Sequence, residues 1–211
     1  MKSWMKGIIC VTVFGSLMVS EAAFPLRVDI DVSAKKSRKQ IGAGDSGEVR
    51  AETVQVKVKC RKSGGDIPEG KLHAELYVIG KQIHTGNYGI IDVQKGDFEL
   101  TKENGYAAEY TSPTYTLGET KGKINAGGKY ETYLVVISGP DGEMIDYRSG
   151  RSLSDEEVAF IRTLGPKTMF DKDGNVLGQL ENPGEALKVA IPAALSSDYG
   201  GDGDGGAPEH H

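Results

Sequence analysis

Two stretches of strict apolar–polar alternation set most of the limits on what this chain can become. Leu26-Arg-Val-Asp-Ile-Asp-Val32 and Val54-Gln-Val-Lys-Val-Lys-Cys60 place every second side chain on one face. A strand projects successive side chains to opposite sides, so this period predicts half-buried β-strands. Further strand signals fall at 71–79, 97–101, 106–111, 129–138 and 143–148. Between them lie Gly-, Pro-, Asn- and Asp-rich turns at 63–70, 102–105 and 139–142, residues that tolerate positive φ or preset a bend. Gly139-Pro-Asp-Gly142 separates Tyr133-Leu-Val-Val-Ile137 from Met144-Ile-Asp-Tyr147 and predicts a hairpin. About seven short strands in some 120 residues predict a mainly β chain. The expected fold is an antiparallel β-sandwich of immunoglobulin-like architecture, with a closed barrel as the alternative. The cysteine pair and core tryptophan of immunoglobulin domains are missing from the expected domain.

One helix interrupts the pattern. Ser154-Asp-Glu-Glu157 has the form of a capping box, in which hydroxyl and carboxylate satisfy each other's free backbone N–H groups. Val158, Ile161 and Leu164 then share a face, Gly165-Pro166 ends the helix, and the stripe is expected against an end or edge of the sandwich. Residues 168–180 suggest a small hairpin turning at Asp173-Gly174, and 187–191 a last strand. From Ser196 the chain is Gly- and Asp-rich with almost nothing to bury, the composition of a disordered tail. The expected organisation is therefore a sandwich over 24–150, a helix-plus-hairpin extension packed on it over 151–195, and a tail over 196–211.

Residues 1–23 precede all of this. Lys2 and Lys6, an apolar run from Gly7 to Val19, and small residues at Ser20 and Ala22 make the three parts of a cleavable secretory signal. The run is too short to cross a ~30 Å hydrocarbon core, and no later segment is long and apolar enough to be a transmembrane segment. The mature chain is expected to begin near Ala23 or Phe24, in the periplasm or outside the cell. Its net charge of −5 becomes −6 once Lys2, Lys6 and Glu21 leave, which argues against general nucleic-acid binding. Removal also takes Trp4, the one tryptophan, and Cys10, leaving Cys60 without an internal disulfide partner. An exported chain with neither disulfide nor Asn-x-Ser/Thr sequon fits a bacterial envelope better than a eukaryotic secretory route.

Few residues suggest chemistry. Gly44-Asp-Ser-Gly47 resembles the string around the nucleophilic serine of chymotrypsin-like proteases; the resemblance covers four residues. It implies Ser46 as nucleophile, with His73 or His84 as base, although in that family the histidine precedes the serine. A polar connection between the first two strands is the plainer reading. On a strand at 71–79, His73 shares a face with Lys71, Glu75 and Tyr77, which predicts a solvated surface histidine. Two histidines without a third ligand make no metal site. Asp171-Lys-Asp-Gly-Asn175 alternates oxygen donors as calcium loops do, but Glu181 falls one position short of the distal ligand. Lys35-Lys-Ser-Arg-Lys39 suggests a solvated basic loop. Tyrosines are the remaining resource. Tyr106, Tyr110 and Tyr115 lie close together, Tyr106 and Tyr110 on one face if their segment is a strand, and aromatic faces anchor partners.

The sequence thus predicts a non-catalytic, cofactor-free exported module that binds an envelope protein or polysaccharide, with Tyr106, Tyr110 and Tyr115 as candidate binding residues. The alternative is an extracytoplasmic serine hydrolase using Ser46. Neither ligand nor oligomeric state is written in the chain.

Overall fold

In a computed structural model, residues 24–44, 47–121 and 126–179 are described. The expected export signal, the strand expected at 187–191 and the expected tail lie outside them. The elements are β1 (Arg27–Gly44), β2 (Gly47–Gly64), β3 (Leu72–Gln82), β4 (Tyr88–Phe98), β5 (Ala107–Thr111), β6 (Tyr115–Lys121), β7 (Ala126–Ser138), β8 (Met144–Ser149), α1 (Asp155–Thr163), β9 (Thr168–Phe170) and β10 (Val176–Gln179). The chain is mostly β, and every strand pair is antiparallel.

Two sheets face each other. In one, β1 pairs β2, and β2 pairs both β5 and β6. In the other the order is β8-β7-β3-β4, extended by β9 and β10. β5 and β6 amount to one strand broken at Ser112-Pro113. Proline has no N–H for a ladder, and the buried Ser112 closes the gap by accepting from Val56 N through its hydroxyl (3.0 Å) while its own N–H donates to Val56 O (2.8 Å). Read this way, the strands run A-B-E against G-F-C-C′, the order of immunoglobulin-like sandwiches. At one end β7 also pairs β6 (Glu119 with Gly127, Thr120 with Ala126), so the ten strands form a continuous hydrogen-bonded network.

The alternating face of β2 does what its pattern predicts. Val54, Val56, Val58 and Cys60 are buried against Leu72, Leu76 and Val78 of β3 and Val135 and Ile137 of β7. A second core lies on the outer side of the β3–β7 sheet. Tyr77, Ile79, Leu134 and Val136 meet Val158, Ile161 and Leu164 there, beside Tyr88 and Phe170. The molecule is therefore layered sheet, sheet, helix.

The capping box is present. Ser154 Oγ accepts from Glu157 N (3.2 Å), and Glu157 Oε2 accepts from Ser154 N (2.8 Å). The helix covers a sheet face and not an end or edge. On the same side of β3 the His73 side chain stays exposed, as expected of it, whereas Tyr77 is completely buried beneath the helix. The two expected hairpins form, with Gly142 and Gly174 at φ 84° and 83°.

Three further expectations change. β4 begins at Tyr88, well before the strand expected at 97–101, and β6 was not anticipated. The basic run 35–39 is mid-strand in β1 and not a loop. Lys36 and Arg38 follow the core face along the strand as exposed charges. Lys36 Nζ lies 4.5 Å from the centroid of the Tyr130 ring. Arg38 sits 3.7 Å from both Glu52 and Glu119, two buried carboxylates, and Glu52 Oε2 also accepts from Tyr130 N (2.9 Å). Buried carboxylates need such partners, and this ionic layer ends the apolar core.

Candidate binding cleft on the open flank

The open flank lies between β4 in one sheet and β5 in the other. β5 pairs only with β2, and β4 beyond Gly89 pairs only with β3, so among the described residues both outer edges are uncovered. Tyrosines bridge the gap. Tyr115 OH donates to Asp92 Oδ2 (2.7 Å), and Tyr110 OH donates to Gln94 Oε1 (3.2 Å). Desolvation and the neighbouring Asp92 push both phenols above their ordinary range, so they remain donors. Tyr106 does not join them. It lies outside β5 in a turn, at φ 57°, with Lys62 Nζ 5.5 Å from its ring centroid. The shared face expected for Tyr106 and Tyr110 is therefore not formed.

Beside Tyr110 the two sheets leave a cleft of about 180 Å³. Its origin is side-chain size. Ala108 pairs with Cys60 across β5 and β2, and Gly96 pairs with Ala74 across β4 and β3. Four small residues thus meet where neighbouring layers carry valine and leucine. Val58, Leu76, Phe98 and Val135 complete an apolar wall. A Cβ built on Gly96 would meet nothing within 4 Å. A cavity of ~150 Å³ lined by apolar side chains accepts a benzene-sized group, so this one has room for a large apolar side chain.

Charge is confined to the rim. Glu109 bonds Lys57 (2.8 Å) and Lys59, and these bonds hold its carboxyl down at about 2. Asp97 Oδ1 lies 2.7 Å from His73 Nδ1. Burial alone would raise Glu75, but bonds from Lys95, Arg162 and Tyr77 outweigh it and hold the carboxyl below its usual range. Cys60, lining the cleft, is free and buried. Desolvation raises its thiol to about 11. It is therefore a neutral apolar wall at physiological pH and no nucleophile.

The other sequence candidates are dispersed. Gly44 pairs with Gly47 at the tip of the β1–β2 hairpin; Asp45 and Ser46 between them lie outside the described residues. His73 is the histidine oriented by a carboxylate, and it pairs with Ser138 at one end of β7. Gly47 lies at the other end, where Glu48 meets Lys121 and Thr120 meets Ala126. That is about 12 residues of strand away, or ~40 Å at ~3.3 Å per residue. His84 is at the Gly47 end, next to Ile83, whose N–H donates to Gly127 O (3.1 Å). Among the described residues its ring makes no hydrogen bond.

The Asp171 carboxylate is already occupied by Asp173 N, Asn175 N and Asn175 Nδ2, all at 2.9 Å, as in a self-contained hairpin tip. Among the described residues no group of three or more His, Cys, Asp or Glu could hold a metal ion, and no helix is long and apolar enough to cross a membrane.

Fold and cleft together define an immunoglobulin-like sandwich with an open apolar flank. No protein-family model and no curated protein matches the chain. A crystal structure from Akkermansia muciniphila is similar at 10% sequence identity and a TM-score of 0.27, over 72% of this chain and 87% of that chain. A likeness that loose adds nothing to what the strand order says.

The sequence pointed to Tyr106, Tyr110 and Tyr115, of which Tyr110 lines the cleft, and it missed Ala74, Gly96 and Ala108. A glycine inside a strand often marks close approach of a ligand or a second backbone, and Gly96 was the legible signal.

Proposed function

We propose that this chain is an exported, non-catalytic module that binds an extended segment of an envelope protein, seating one apolar side chain of that segment in the cleft between β4 and β5. The observation that carries the reading is the cleft itself: an apolar hollow of side-chain size, set between two strand edges that no described residue covers. An edge offers unpaired N–H and C=O groups to an extended peptide, and a pocket for an alternate side chain gives selectivity. A sugar would need polar groups within the hollow to match its hydroxyls. Here those groups stand at the rim, which favours protein over polysaccharide. Export is supported by the signal-like segment, Lys2 to Ala22.

Gly96→Leu tests the reading, because its side chain has room to fill the hollow without displacing backbone. The variant is expected to keep the native Tm, since leucine also suits a strand better than glycine. Its capture of partner from native envelope extract should fall at least about tenfold, the equivalent of ~1.4 kcal/mol. Undiminished capture by a folded Gly96→Leu protein overturns the cleft. Capture that survives protease digestion of the extract points to a surface polymer and overturns the protein partner.

A further inference from the structure

We infer that the groove around Phe24 is the seat of the mature chain's own α-ammonium group, with Asp66 as its principal partner. The inference rests on the export reading, because only removal of the signal creates that group.

Phe24 is joined to the β2–β3 connection twice: its N–H donates to Asp66 Oδ2 (3.0 Å), and its carbonyl accepts from Asp66 N (2.9 Å). The next residue is held by close packing. Gly65 sits at φ +72°, and a Cβ there would lie 2.0 Å from the Pro25 carbonyl oxygen, so only glycine lets the two backbones approach this closely. The Phe24 ring contributes little to the anchoring, being 76% exposed. What holds this end of the chain is the backbone and one carboxylate.

The surroundings fit a cation. The groove, about 530 Å³, is lined by Asp66, Glu69, Asp141 and Glu143 and, among the described residues, by no lysine or arginine. Among the described residues Asp66 has no ion-pair partner. A peptide N–H leaves this charge unbalanced, whereas an α-ammonium supplies the missing positive charge at or next to the nitrogen already bonded to Asp66. Cleavage is an ordinary hydrolysis by an enzyme of the signal-peptidase class. Water adds its oxygen to the carbonyl carbon of the residue being removed and the C–N bond breaks. The released nitrogen takes up protons to become –NH3⁺. In a chain beginning at Phe24, processing would thereby turn a hydrogen bond charged only at its acceptor into an ion pair just ahead of β1. A short bond with both partners charged adds direct Coulomb attraction to the hydrogen bond.

The test has two arms. The N-terminal peptide of protein purified from its native envelope is expected to start at Ala23 or Phe24 by mass. In protein beginning at that residue, acylation of the α-amine near pH 7 is expected to run on the order of three- to tenfold slower than in Asp66→Asn. A carboxylate beside an ammonium keeps it protonated, and a rise of half to one pKa unit lowers the free-amine fraction by that factor. Asp141→Asn, made separately, should show a smaller change in the same direction. Equal acylation rates in the wild type and folded Asp66→Asn overturn the seat, as does a mature chain starting downstream of Phe24. A native chain still carrying Met1 overturns the export reading instead. The acylation arm can then be run on protein produced from Phe24 onward, so the two failures are told apart.

Discussion

Cys60 shows how one residue can be half legible. Its alternation with Val54, Val56 and Val58 marks it as inward-facing, and it is buried. That it borders a hollow depends on Ala74, Gly96 and Ala108, which reach it through pairings up to 48 positions away in the chain. No local pattern carries such information. Burial also makes Cys60 a pH-dependent stabiliser. An unfolded thiol titrates near ~8.5, and the folded one near 11. Between those values the folded state holds the proton more tightly, so the contribution is complete below about pH 8.5 and is lost as pH rises through 11. Alkaline pH acts on the rest of the protein as well, so the informative quantity is a difference. Urea melts of the wild type and Cys60→Val at pH 8 and pH 10.5 are expected to show the wild type losing more stability than the variant. Parallel losses in the two proteins sink this assignment.

At the scale of elements, the reading succeeds where a signal is local and fails where the inward face changes chemistry. The helix is the success: Ser154 and Glu157 close the capping box, and Val158, Ile161 and Leu164 are buried as one stripe. Ser154→Ala removes an acceptor for a free N–H and is expected to cost ~1 kcal/mol, seen as a lowered urea midpoint at unchanged m. No shift in midpoint means the cap is redundant with helix docking. The failures share a cause. The second half of β1 carries Lys36 and Arg38, both exposed, on the side that bears the core face further back, and β6 carries the buried Glu119, so alternation of apolar and polar residues stops although the strands continue. In β4 the apolar positions Ile90 and Ile91 are adjacent, and the register slips opposite Val78 and Ile79. A period-2 search passes over such a segment. The open flank inherits this blindness, since one of its two walls is β4.

At the scale of the molecule, β3 and β7 belong to both cores. Leu76, Val78, Val135 and Ile137 face the second sheet, while Tyr77, Ile79, Leu134 and Val136 face the helix. A strand with both faces buried cannot lose one layer without exposing apolar surface on the other. The helix layer is therefore part of the folding unit, although it follows the sandwich in sequence and could have been an appendage. Ile161, 1% exposed at the centre of the helix stripe, tests this. Ile161→Ala is expected to destabilise the whole protein by ~2–5 kcal/mol, the range for emptying a buried isoleucine site. Urea unfolding should still be one transition, with far-ultraviolet ellipticity and near-ultraviolet tyrosine signal moving together. Tyr77 reports the helix-side core, and Tyr110 and Tyr115 report the flank, so the tyrosine signal spans both layers. An early loss of helix that leaves the β signal intact would show that the outer layer is stabilised independently. In that case the doubly buried β3–β7 pair does not couple the cores, and the cleft on the flank would be insulated from events at the helix. A single shifted transition instead means that any ligand seated between β4 and β5 stabilises the helix as well, since a ligand that binds only the folded state raises the stability of everything that unfolds with it.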